Sequence, residues 1–110
     1  MIEVGCQIFI RRDGYSFLDP PKSELLHEIW KNGSLSGAAK NLKMSYQHAW
    51  NLINEINKTA PEPLVLKQRG GTNGGGAEIS GYGKRILTEY NAIEKQINKL
   101  TYQINNEINF

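Results

Sequence analysis

The chain has one cysteine, Cys6, so it cannot form an internal disulfide; that excludes a disulfide-stapled secreted scaffold and agrees with a reducing compartment. It has two histidines, His27 and His48, which fall on different predicted helices without companions at ligand spacing. The carboxylates are dispersed, so no acid–base pair is legible. These shortages predict a protein that is not an enzyme and needs no metal or cofactor. Cys6, alone on a predicted strand face, reads as a small buried hydrophobe. No apolar run approaches the roughly 20 residues that span a bilayer. The start, "MIEVGCQIF", has no basic region and carries Glu3 early, unlike a secretory signal. The expectation is a cytoplasmic protein with no membrane partner.

Charge of one sign is also scarce overall, with a formal net of +2, but it is unevenly spread. Between Ser34 and Arg85 seven basic residues face three acidic ones, whereas each flank is slightly acidic. A basic middle favours polyanions. With 110 residues the chain predicts a single domain with a modest core and little room for an enclosed active site.

What is present is mostly punctuation and periodicity. "IEVGCQIFIRR" alternates Ile2, Val4, Cys6, Ile8 and Ile10 with more polar residues, the period of a half-buried strand. Asp13-Gly14 followed by "YSFL" predicts a hairpin over about residues 2–18, since a type I′ turn needs positive φ at both central positions. Asp19 and two prolines open a helix whose apolar face is Leu25, Leu26, Ile29 and Trp30, and Gly33 stops it. Two further helices follow in quick succession, one capped by Ser36 and one by Ser45, separated by a break short enough for a helix-turn-helix over about 34–58. In the second of these Ala49, Leu52, Ile53 and Ile56 make a buried stripe. Gln47, Asn51, Asn54 and Lys58 point the other way, with Tyr46 and Trp50 at the border. Exposed amides of this kind suit base edges, because Asn and Gln bond adenine bidentately in the major groove.

"RGGTNGGG" sits between two strand-like runs, making a second hairpin over about 64–80. A nucleotide-cradling loop fails on spacing: Glu78 stands where a P-loop ending in Gly83-Lys84 needs glycine, and residue 85 is arginine. A hairpin tip that approaches a sugar-phosphate backbone survives, with Lys67 and Arg69 neutralising charge. The bland alternative is a surface loop with ordinary turn chemistry. After Ser80 a long helix places Ile86, Tyr90, Ile93, Ile97, Leu100 and Ile104 on a heptad seam, which pairs with another helix.

The run "GSLSGAAKNLKMSYQHAWNLINEIN", then "LV", "RGGTNGGGAEIS" and "GYGKRIL", closely resembles the N-terminal DNA-binding domain of the ModE family of molybdate-responsive transcriptional regulators. More distantly, Gly33 to Ser45 resembles the helix-turn-helix of LysR-type regulators. The resemblance covers about residues 20–100. It implies an α+β, mainly helical fold: a winged helix-turn-helix over 1–80 and a dimerisation helix over 81–110. It further implies Ser36, Ser45 and the wing residues Lys67, Arg69, Gly70, Gly71, Thr72, Asn73 and Gly74 at phosphates, Gln47 and Asn51 at base edges, and Tyr46 and Trp50 touching DNA or bracing the recognition helix. Many family members continue into an oxyanion-binding domain; the sequence ending at Phe110 supplies no such site, so molybdate sensing is not expected to carry over. The expectation is a homodimeric regulator of double-stranded DNA. The alternative is a protein-interaction module whose long helix docks a separate sensor or effector-binding protein.

Overall fold

The structure, a computed structural model, describes residues 1–68 and 76–110. β1 (Ile10–Arg12) and β2 (Tyr15–Leu18) form an antiparallel hairpin. Its turn is the expected one, with Asp13 at φ 53° and Gly14 at φ 83°. The strand predicted from residue 2 is not formed before Ile10, and the reason lies in the partner. β2 ends at Leu18 because Asp19 caps the next helix, so residues 2–9 have nothing to pair with. Val4 instead bonds the Asn105 side chain through both backbone groups, at 2.6 and 3.0 Å. Cys6 is consequently exposed, correcting its expected burial.

α1 (Pro20–Asn32) begins where Asp19 accepts the Lys22 N–H and ends at Gly33, whose φ of 69° lets its N–H reach the Ile29 carbonyl. α2 (Leu35–Asn41) is capped by Ser34 rather than Ser36: the Ser34 hydroxyl accepts the Gly37 N–H at 3.0 Å. That choice turns Leu35, Ala38 and Ala39 inward and leaves Ser36 exposed. α3 (Tyr46–Thr59) is capped by Ser45 as expected, and Ala49, Ile53 and Ile56 are buried with Leu52 half-buried.

β3 (Val65–Gln68) and β4 (Gly76–Ile79) pair antiparallel, Val65 opposite Ile79 and Gln68 opposite Gly76. α4 (Gly81–Glu107) starts at the Ser80 cap. Its first turn lies hard against the base of β3: a Cβ on Gly83 would collide with the Leu64 carbonyl oxygen and come within 2.9 Å of Ile79 Cγ2. One core joins Leu18, Leu25, Leu26, Ile29, Leu35, Ile53, Ile56, Leu64, Leu87 and Tyr90. Beyond Tyr90 the helix runs on past that core, which stretches the molecule to 56 Å by 29 by 21 Å. Three helices followed by a two-stranded wing and a long helix constitute an α+β, mainly helical, winged helix-turn-helix. Among the described residues no helix is long and apolar enough to cross a membrane.

Candidate nucleic-acid interface

The exposed side of α3 carries Gln47, Asn51, Asn54 and Lys58 in one stripe. Gln47 Nε2 donates to Asn51 Oδ1 at 3.0 Å, so the two amides hold each other in register. Gln47 keeps its carbonyl and Asn51 its NH₂ for an outside partner, the acceptor–donor pairing that an adenine edge requires. One flank of the stripe is closed by the wing. Lys67 Nζ on β3 donates to Asn54 Oδ1 at 2.5 Å and lies 4.5 Å from the Trp50 ring centroid. Tyr46 meets Trp50 edge to face, with centroids 5.9 Å apart. Trp50 is half-buried against the core, so it supports α3 while carrying the lysine on its face.

Tyr46, Gln47, Trp50, Asn51 and Lys67 are therefore brought together. Ser45 is exposed at the helix start, where its hydroxyl accepts the His48 N–H. Ser36 is exposed on the first turn of α2, with no hydrogen bond to this face among the described residues. Arg69, Gly70, Gly71, Thr72, Asn73 and Gly74 lie outside the described residues.

Sequence reasoning missed Asn57. Its Nδ2 donates to the Val65 carbonyl at 3.0 Å, and its Oδ1 accepts the N–H groups of Leu64 at 3.0 Å and Val65 at 3.2 Å. One amide thus fastens the wing to the end of the helix beside it. An asparagine off both the apolar and the exposed stripe was the only signal for it in the sequence.

Over 79 residues the chain is 43% identical to the transcriptional regulator ModE of Haemophilus influenzae, covering 72% of this chain and 31% of that protein. It is 40% identical over 77 residues to the DNA-binding transcriptional dual regulator ModE of Escherichia coli K12, covering 70% and 29%. The chain carries a ModE-family winged helix. It spans about a third of the length of these curated relatives. No family model matches it. A MarR family protein from Bacillus stearothermophilus shares the fold, with a TM-score of 0.57 at 17% identity over 84% of this chain and 63% of that one.

The predicted α4 seam divides in two. Tyr90 is 2% exposed within the chain's own core, and Ile86 packs partly against it. Past the core, Ile93 and Leu100 are 40% and 53% exposed, and Ile97 and Ile104 are half-buried. The heptad therefore serves the chain's own core first and presents an apolar ridge only from Ile93 onward.

Proposed function

We propose that the chain binds duplex DNA sequence-specifically as a homodimeric transcriptional regulator, reading bases with α3 and pairing through the outer half of α4. The reading is carried by the paired amides of Gln47 and Asn51 on an exposed helix face braced by the wing. The names of the ModE relatives, transcriptional regulators and in one case DNA-binding, support it. In this reading residues 1–80 are the DNA-binding unit, Ser36 and Ser45 lie near phosphates, and Arg69 with the neighbouring glycines and Thr72 and Asn73 follow the backbone at the wing tip. The apolar ridge of Ile93, Ile97, Leu100 and Ile104, two exposed and two half-buried, supports α4 pairing with a second copy, since apolar side chains at heptad spacing are the seam of a coiled coil.

Selection of bound sequences from a random duplex pool tests the proposal, followed by Asn51→Ala on the selected site. Loss of one bidentate base contact is worth about 1–3 kcal/mol of discrimination, with much less effect on random duplex. Equal losses on selected and random DNA would assign Asn51 to the backbone, and no enrichment at all would sink sequence-specific binding.

A further inference from the structure

The side of α3 away from the wing faces a cleft of about 600 Å³ under the β1–β2 hairpin. Three cations from three elements line it: Arg12 on β1, Lys22 on α1 and Lys58 on α3. The Lys22 side chain is 7% exposed, yet its ammonium has one hydrogen bond, to the Ser16 carbonyl at 3.0 Å. Its carboxylate neighbour, Glu55, stands 3.7 Å away, beyond hydrogen-bond length. An ammonium has three N–H donors, so two remain for a ligand that enters the cleft. Arg12 uses one Nη on the Thr59 carbonyl at 2.7 Å and keeps the rest of its guanidinium. Lys58 is exposed and has no partner among the described residues.

We propose that this cleft is an oxyanion site that takes a phosphate group. Donors arriving from three separate elements suit a tetrahedral anion better than the flat, one-sided fork that a lone arginine offers a carboxylate. Asp13 and Glu55 also line the cleft and oppose an anion. Glu55 is 62% exposed and held to Lys22 only by the long pair, so it turns out to water as phosphate takes its place. The volume leaves room for whatever bears the phosphate. Lys58 ends the Gln47–Asn51–Asn54 stripe, so the bearer is either the backbone of a duplex lying along α3 or a free phosphomonoester. The first source rests on the function proposed above; the site itself does not.

Amide NMR of the full chain, titrated with inorganic phosphate against sodium chloride at matched ionic strength, tests the site. Phosphate should give saturable shifts at Arg12, Ser16, Lys22 and Lys58 that chloride does not. The double variant Arg12→Met with Lys58→Met, both exposed positions that leave the core intact, should weaken that binding at least about tenfold, as befits the loss of two charge-assisted contacts. Displacement of phosphate by duplex, with a salt slope lower by about two units in the double variant, identifies the backbone as the source. Phosphate and duplex binding together, with an unchanged slope, identifies a free ligand. Shifts that match those of chloride, or phosphate binding untouched in the double variant, overturn the proposal. Both of these outcomes are read without duplex present and so are separate from any failure of the DNA reading.

Discussion

Replacing Asn57 by alanine strikes the joint between α3 and the wing. The change removes one donor and two accepted hydrogen bonds and strands the Leu64 and Val65 N–H groups and the Val65 carbonyl. Leu64 and Val65 are 0% and 1% exposed, so water does not readily replace the lost partner. A hydrogen bond is worth about 1 kcal/mol net, and a stranded buried group costs about 1–3 kcal/mol, so three bonds amount to about 3–4 kcal/mol. In a domain of this size each kcal/mol moves Tm by about 4–8 °C, which predicts a fall of about 15 °C or more. Urea unfolding followed by circular dichroism measures the free-energy loss and a thermal scan the fall in Tm, both at one fixed protein concentration because any self-association makes stability concentration-dependent. Asn57→Asp retains both acceptor bonds but sets a carboxylate oxygen against the Val65 carbonyl, so it should not restore wild-type stability. A loss below about 1 kcal/mol in Asn57→Ala would refute the reasoning.

Gly83→Ala should cost about 1–2 kcal/mol in the same assay. The new Cβ meets the immobile Leu64 carbonyl, and overpacking of about 1–3 kcal/mol exceeds the ~1 kcal/mol helix gain; a stabilised variant would contradict that close approach. Ile97→Glu should give folded monomers in sedimentation at micromolar concentration, and a persisting dimer would place the pairing surface elsewhere. Lys67→Met should weaken specific duplex binding more than it lowers the salt slope, because it removes the contacts to Trp50 and Asn54 that tie the wing to α3. A slope lower by about one unit would make Lys67 a phosphate contact instead.

Local rules carried much of this architecture. Asp19, Ser45 and Ser80 cap the helices assigned to them, Asp13-Gly14 turns the hairpin, and the α3 stripes face as their spacing requires, because each depends on residues within one or two turns. What escaped depends on neighbours distant in sequence. Ser34 and Ser36 are chemically equivalent caps, and only the packing of Leu35 and Ala38 selects between them. Alternation over residues 2–11 could not reveal that the partner strand ends at Leu18. Heptad spacing in α4 does not distinguish the chain's own core, where Tyr90 goes, from a partner helix. That Lys67 lies over Trp50 is likewise a packing fact that charge alone cannot convey.

The bond between Val4 and Asn105 joins residues 101 positions apart, closing nearly the whole chain into a ring. Loop-closure entropy rises only slowly with length, by about 0.6 kcal/mol per doubling, so the ring is affordable once the rest has folded. The Val4 amide proton is accordingly a built-in reporter on the outer half of α4: its exchange with solvent follows fraying of that half while the core stays closed. The clasp also has a practical side. Any tag fused ahead of Met1 begins three residues from Val4, beside the far end of the apolar ridge. The assembly state of a tagged preparation then belongs partly to the tag, and should be measured again after its removal.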